Sequence, residues 1–404
     1  MNSASERTIA VIGGGIIGCS TAYYLTRHPS YDPTLHKIVV FEATGIAGGA
    51  SGKAGGFLAI WAHPDNIAPL SYSLHKELAQ EHNGVERWGY RRIKCGQLLA
   101  HVTPRDASSS NTETLGSGKN YDKQATLREK RACSIPADLD WFDPSMCLEF
   151  EDMGNMGATA QVHPYLFTTS MMKLAEEKGA KFILGSVMEI ELSEDRVRGL
   201  KYNDKETGES KSMPVTDAIV AAGPWARTVF SRAPILAERA HSVVIRPTRP
   251  VSAYAVFTSI TPQRSNRHPQ QDAAVYPEIY SRPDGTVYSC GAGDVSVSLP
   301  ETTADVQVDD SRCQSIIDSV GSISSELRGG EILRQQACYL PAVAGPAAGP
   351  LIGPADIKGV HLAVGHTCWG IQNAPATGKL MSEFVFDGAA QSADVASLNP
   401  RNFL

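Results

Sequence analysis

The sequence predicts an α/β fold built on a Rossmann-like dinucleotide-binding unit, and three observations carry that reading. Thr8–Ile12 is a continuous apolar run leading into Gly13-Gly14-Gly15-Ile16-Ile17-Gly18. A second run, Lys37–Phe41, ends in Glu42. Later apolar runs, Ala218–Ala222 and Val360–Val364, are each followed by a glycine-containing turn. Short uninterrupted apolar runs bounded by glycine are the pattern of parallel strands buried on both faces.

The elements follow in order. Ile16–Leu25 carries the small and apolar residues of a helix packed on a sheet, and Pro29 and Pro33 make the segment to His36 a loop. Strand, helix and second strand complete a βαβ unit. Ala43–Gly56 holds six glycines and reads as a loop, and Pro69–Asn83 reads as a helix. Asp106–Lys123 is rich in Ser, Thr, Asn, Gly and Lys and reads as a surface excursion. Phe167–Lys178 is a helix, with Gly179 where left-handed backbone ends it, and His163 before Pro164 is a structural turn residue. Ala180–Leu184 is a strand, and Val187–Leu192 with Val197–Tyr202 alternate as a hairpin does. Short strands recur over Val243–Val297, with Arg282-Pro283-Asp284-Gly285 as a turn. Asp310–Leu327 reads as one helix, and the last helix runs from about Ala376 to Phe386.

The 404 residues, 42% hydrophobic and 20% charged, suit a globular chain of two or three structural units. A net charge of −6 without a basic block argues against nucleic acid as a partner. No apolar stretch reaches the length of a membrane span, and the polar start shows no signal peptide. The 8 cysteines form no Cys-x-x-Cys pair, so metal-ligand spacing is absent. They read as reduced thiols of a cytoplasmic protein.

The run from Gly13 to Gly18 fits G-x-G-x-x-G in the strand–turn–helix context that the motif needs. Gly13 permits the tight turn, Gly15 lets a pyrophosphate approach the backbone, and Gly18 lets helix and strand pack closely. The helix opened by Ile16 and Ile17 offers unpaired N–H groups and a positive dipole end to the phosphates. Glu42 is placed to accept hydrogen bonds from ribose hydroxyls. The motif alone does not separate NAD from FAD.

Three further segments bear on that choice: Gly48-Gly49-Ala50-Ser51-Gly52-Lys53-Ala54-Gly55-Gly56, Ala221-Ala222-Gly223-Pro224-Trp225, and Gly365-His366-Thr367-Cys368-Trp369-Gly370. With the first motif, and in this order, they resemble the D-amino-acid-oxidase-type FAD oxidoreductases, the group of glycine oxidase and sarcosine oxidase. The run from Ala337-Cys338-Tyr339-Leu340-Pro341 through Leu351-Ile352-Gly353 to Gly370 resembles a fungal-type branch of that group. The resemblance covers nearly the whole chain outside Asp106–Lys123. It implies an α/β (α+β) protein in which a Rossmann-like FAD domain (1–85, 150–240 and 335–404) interleaves with a mixed-sheet substrate domain (86–149 and 241–334).

The resemblance also implies site residues. Gly13, Gly15, Ile16, Ile17 and Gly18 would hold the pyrophosphate, Glu42 and Ala43 the adenosine ribose, and Val187 the adenine through its backbone. Ser51 and Lys53 would lie near the flavin, and Ala50, Gly55, Gly56, Ala222, Gly223 and Trp225 would be further cofactor-binding residues. Gly365, Thr367, Cys368, Trp369, Gly370, Ile371 and Gln372 would meet its pyrimidine end, where a helix N-terminus stabilises the negative charge of reduced flavin. Cys338 aligns with a cysteine that sarcosine oxidases bond to FAD. Two readings of it stay open, covalent attachment and a packed apolar thiol. Lys53, His366, Trp369 and Tyr280 are the catalytic candidates, with Tyr276 and Glu278 beside them in the pocket.

The implied reaction is hydride transfer from the carbon beside a neutral amine, hydrolysis of the imine, and reoxidation by O2 to hydrogen peroxide. The partners are then a small amine and O2. Three anchor positions depart from the family pattern. Leu340 stands where an Arg holds the substrate carboxylate, Gln372 where a Lys does, and Ala59 near a further Arg. Neutral residues replace a bidentate Arg poorly, so an amino-acid carboxylate held in the usual way is not expected. Ser289 falls where an oxygen-activating Lys stands, which keeps open an FAD dehydrogenase with another acceptor. An FAD-stabilised interaction protein without turnover is the third reading.

Overall fold

The computed structural model describes residues 6–102, 134–262, 274–345 and 349–404. The excursion expected at Asp106–Lys123 lies outside them.

Among the described residues the largest sheet has eight strands. Their order is Ser210–Pro214, Arg196–Asp204, Lys181–Ser193, His36–Glu42, Arg7–Ile12, Asp217–Val220, Val360–Val364 and Leu351–Pro354. The central five are mutually parallel. Alternation within them sorts the apolar side chains into two layers. Ile9, Val11, Ile38 and Val40 pack beneath the helices Ile16–Leu25, Pro164–Glu176 and Gly370–Phe386. Ala10, Ile12, Val39 and Phe41 face the opposite layer with Ala226, Phe230 and Val360. The apolar runs are thus buried on both faces, as expected of parallel strands.

A second sheet has seven strands, in the order Glu331–Val343, Ile235–Arg246, Val287–Cys290, Glu278–Ser281, Tyr254–Pro262, Lys94–Val102 and Cys147–Gly154. It is mixed, because Tyr254–Pro262 runs parallel to Lys94–Val102 while the other pairs are antiparallel. Helix Asp310–Ile323 covers it through Cys313, Ile316 and Val320, with Trp141 and Phe142 in the same core. A small sheet of Phe57–Ala59, Thr159–Gln161 and Arg91–Arg92 joins the two.

Gly179 takes the expected left-handed conformation, with φ +102°. His163 caps the helix after it, its Nδ1 accepting from the Leu166 N–H at 3.5 Å. The segment read as one helix from Asp310 to Leu327 is two, Asp310–Ile323 and Ser325–Arg328. At the break Ser324 is extended, and its hydroxyl donates to the Trp141 carbonyl at 2.6 Å and accepts from the Leu327 N–H at 3.3 Å.

The last helix begins at Gly370, six residues before its expected start, and carries Pro375 inside it. Proline has no N–H for the carbonyl four residues back, here Ile371. The buried His75 stands in for it, with Nε2 2.9 Å from the Ile371 oxygen. Burial pulls the His75 pKa down to about 4. The ring is therefore neutral at pH 7 and presents Nε2–H.

No helix among the described residues is long and apolar enough to cross a membrane. Cys147 is disulfide-bonded, which corrects the reading of all the cysteines as reduced thiols. Cys19, Cys95, Cys290, Cys313, Cys338 and Cys368 are free.

Candidate active site

One cavity runs along the carboxyl ends of the parallel strands and continues under the second sheet. That is where open α/β sheets bind ligands. It takes in every expected site residue except Gly18, Gln372 and Tyr276.

At the first end, the glycines of the turn have different reasons to be glycine. Gly13 has φ +120°, and a Cβ there would overlap the Ala221 carbonyl. A Cβ on Gly18 would overlap the Gly13 carbonyl. Both are required by packing, and Gly18 performs the helix–strand role without lining the cavity. Gly15 is different: a Cβ there would meet only the Ser51 Oγ, at 3.1 Å. The protein leaves that space open towards the cavity, as a pyrophosphate needs. The Ile16 N–H, first of the helix, donates to Ser51 Oγ at 2.9 Å. Glu42 closes the second strand, accepting from the Gly14 N–H at 2.8 Å and the Thr44 N–H at 3.0 Å. Val187 lines the cavity beside Gly185 and Ser186, where a bulge between Val187 and Glu189 interrupts the strand ladder. These features fit the adenosine and pyrophosphate of FAD.

The middle is framed by the glycine-rich loop and two turns. Lys53 Nζ donates to the Ala337 carbonyl at 2.9 Å, and Gln336 Nε2 donates to the Lys53 carbonyl at 3.1 Å. Burial lowers the Lys53 pKa. Lys53 is the only Lys or Arg on the cavity wall among the described residues. Cys338 lies beside Lys53, and burial pushes its thiol up to about 11 against the pull of that ammonium. The Gly223–Trp225 turn is held by Trp225 Nε1, which donates to the Pro300 carbonyl at 2.7 Å. In the last turn Gly365 has φ +83° and Thr367 φ +49°. A β-branched residue in that region is strained, and such strain clusters at functional sites. Burial pulls His366 down to about 3, and its Nε2 pairs with Thr377 Oγ1 at 3.0 Å. It is a neutral ring anchoring the turn, which does not suit an acid–base group at pH 7.

The far end is aromatic and acidic. Phe57, Tyr280 and Tyr288 stack in parallel, with centroids 5.8 and 5.9 Å apart. Phe257 meets Tyr280 edge-on at 6.0 Å, and Trp369 lines the same wall. The Tyr280 hydroxyl donates to the Glu278 carboxylate. Burial raises the Glu278 pKa, opposed by hydrogen bonds from Tyr280 and Cys290. A Cβ on Gly55 would overlap the Tyr280 ring, so the loop packs directly on this stack.

Four residues from the sequence reading play other parts. Gln372 does not face the cavity; its Oε1 accepts from the Ala59 N–H at 3.0 Å and its Nε2 donates to the Ala68 carbonyl at 3.1 Å. Ala59 is buried in a strand, Ser289 Oγ donates to the Glu278 carbonyl at 2.8 Å, and Tyr276 is 68% exposed. Of the three anchor positions, only Leu340 lines the cavity. The sequence reading did not name Phe57, Phe257 or Tyr288. The hairpin turn at Arg282–Gly285 held the signal for Tyr288, because its register sets Tyr288 opposite Tyr280. Among the described residues no group of three His, Cys, Asp or Glu could hold a metal ion.

The chain is 34% identical over 507 aligned positions to TDA3 of Saccharomyces cerevisiae, whose oxidoreductase designation is provisional, covering 99% of this chain and 95% of that protein. A similarly designated Schizosaccharomyces pombe protein is 33% identical, over 99% of this chain and 100% of its own. The fold resembles L-proline dehydrogenase from P. horikoshii, with TM-score 0.70 and 17% identity over 99% of this chain and 98% of that one. It also resembles glycine oxidase from Geobacillus kaustophilus, with TM-score 0.69 and 15% identity over 97% and 98%. The family model for FAD dependent oxidoreductases matches residues 8–384, and the chain belongs to that family, DAO.

Proposed function

We propose that this protein binds FAD along the whole cavity and oxidises the C–N bond of an amine that lacks a carboxylate. Val187 takes the adenine, Glu42 the ribose, and the turn from Gly13 to Ile16 the pyrophosphate. The loop from Ala50 to Gly56, Cys338 and the Gly365–Ile371 turn surround the isoalloxazine. A bound FAD would supply the acceptor for the hydride from the carbon beside the nitrogen, with O2 as the proposed final acceptor of the electron pair.

The protein's own part is to hold the amine and exclude water. The aromatic stack and Trp369 wall the reacting end, and the neutral His366 and Thr377 fix the last turn beneath it. The observation that carries the reading is the continuity of one cavity from the open face of Gly15 to this aromatic end. Cys338 is a neutral thiol at pH 7, while attack on a flavin needs the thiolate. We therefore place FAD in the site without a covalent bond. Anaerobic mixing with a panel of primary and secondary amines tests the proposal. Bleaching of the flavin by amines, and hydrogen peroxide on admission of air, are expected; a flavin that no amine reduces would sink it.

A dehydrogenase using another acceptor is the second reading. Lys53, the cation on the wall, already donates to Ala337, and Ser289 is turned into the sheet. Rapid bleaching followed by slow peroxide release, with fast turnover on an artificial dye, would select it.

A further inference from the structure

The reacting end of the cavity holds a carboxylate with no counter-ion. Tyr280 Oη and Cys290 Sγ both donate to Oε2 of Glu278, Cys290 at 3.8 Å. Oε1 of Glu278 accepts no hydrogen bond from any described residue, and the side chain lines the cavity. A part-buried carboxylate without a cation is costly, and a cationic ligand offsets that cost. The walls around it are Phe257, Tyr280, Tyr288 and Trp369; Tyr280 is stacked between Phe57 and Tyr288, and Arg282 sits 5.0 Å over the Tyr288 ring, so Phe257 and Trp369 are the rings left to attract an ammonium group. Glu238 and Glu301 add negative charge to the same cavity, whereas its single Lys is bonded to the Ala337 carbonyl. Among the described residues of the wall, a substrate carboxylate entering here would meet the carboxylates of Glu42, Glu238, Glu278 and Glu301 against the single ammonium of Lys53.

We propose that Glu278 is the specificity residue of this site, holding a carboxylate-free amine against the aromatic wall as its ammonium and taking up its N–H proton before the neutral amine is oxidised. The inference rests on the amine-oxidation reading for the place of the substrate, yet it fails separately. It is tested on the FAD-loaded protein with two probes that share one ring and differ in charge, benzyltrimethylammonium and benzoate. The quaternary amine has no N–H or lone pair and cannot form a neutral imine, so binding is read without turnover. Visible flavin difference spectra and quenching of tryptophan fluorescence both report it. The cation should bind at least about tenfold more tightly than benzoate. Glu278→Gln should remove at least about tenfold of the cation's affinity without weakening benzoate, and Glu278→Asp should restore part of the loss.

Equal or tighter binding of benzoate, no binding of either probe, or an unchanged cation affinity in Glu278→Gln would each overturn the inference. Should Glu278→Gln not fold, the two probes on the unaltered protein still decide it. Charge-selective binding in a protein whose flavin no amine of the panel, benzylamine and N-methylbenzylamine included, bleaches would keep the cation site and sink the oxidation. Bleaching by those amines with no charge selectivity would do the reverse.

Discussion

The two ends of the cavity are built by different means. At the nucleotide end the working groups are backbone: a glycine turn, the first N–H of a helix and one carboxylate at a strand end, within Gly13 to Glu42. At the reacting end they are side chains from Phe57, Phe257, Glu278, Tyr280, Tyr288 and Trp369, set in place by two sheets and a helix turn. The first end depends on the absence of side chains and tolerates no addition. The second depends on which side chains are present, and can change its ligand without changing the fold. Under the proposed function, one end is suited to the cofactor and the other to the substrate.

The largest expected effect separates packing from binding at the first end. Gly15→Val should yield folded but colourless protein, because its side chain enters the pyrophosphate space and meets only Ser51. Absorbance at the flavin maximum and thermal melting check this together, and a fully yellow Gly15→Val protein would break the assignment. At the second end, Gly55→Ala should keep FAD but displace the Tyr280 ring. Overpacking of this kind costs about 1–3 kcal/mol of stability, and the displaced ring should raise KM for a cationic amine while flavin content holds.

A control away from both ends sharpens the comparison. Asp217 starts its strand at the sheet end opposite the glycine turn. Arg7 donates to it at 2.6 and 3.1 Å, and His361 lies 3.8 Å away. Burial raises its pKa, but these partners more than reverse that and hold it at about 2. A depressed carboxyl stabilises the fold above the unfolded value and loses that contribution as pH falls through it towards about 2. Asp217→Asn should therefore cost about 2 kcal/mol at pH 7, with the gap from the unaltered protein closing below about pH 4. Denaturant melts at both pH values check it, and flavin content should not change. The smallest expected effect is at Cys338: after acid precipitation the yellow colour should stay in the supernatant. A yellow pellet would mean a covalent bond and would require Lys53 to draw the thiol down once FAD is seated.

The nucleotide end was legible because its determinants lie within one βαβ unit, and the strands, helix and Glu42 appear where the motif sets them. The reacting end was legible only in part. Tyr280, Glu278 and Trp369 were named, but the stack is completed by Phe57, which lies far along the chain from Tyr280. The early start of the last helix was hidden for the same reason. Pro375 is a local helix breaker, and its remedy, His75, is 296 residues from the Ile371 carbonyl that it serves. Gln372 looked like a ligand because its position aligns with one, whereas its two amide atoms are already occupied by Ala59 and Ala68. Strand Lys94–Val102 was missed because its partners are Tyr254–Pro262 and Cys147–Gly154, pairings that no local pattern announces.

The loop from Ala50 to Gly56 belongs to both ends at once. Ser51 accepts from the first N–H of the dinucleotide helix, while Lys53, Gln336 and Arg282 stitch the loop to the second sheet, the last through the Ala54 carbonyl at 2.5 Å. Under the proposed function both ligands touch this segment, so a shift made by one reaches the other. Thermodynamic reciprocity then fixes the size of the effect: whatever factor FAD adds to amine affinity, the amine adds to FAD affinity. If an amine binds as proposed, loss of flavin would weaken its recognition, and a saturating amine would slow the escape of the cofactor.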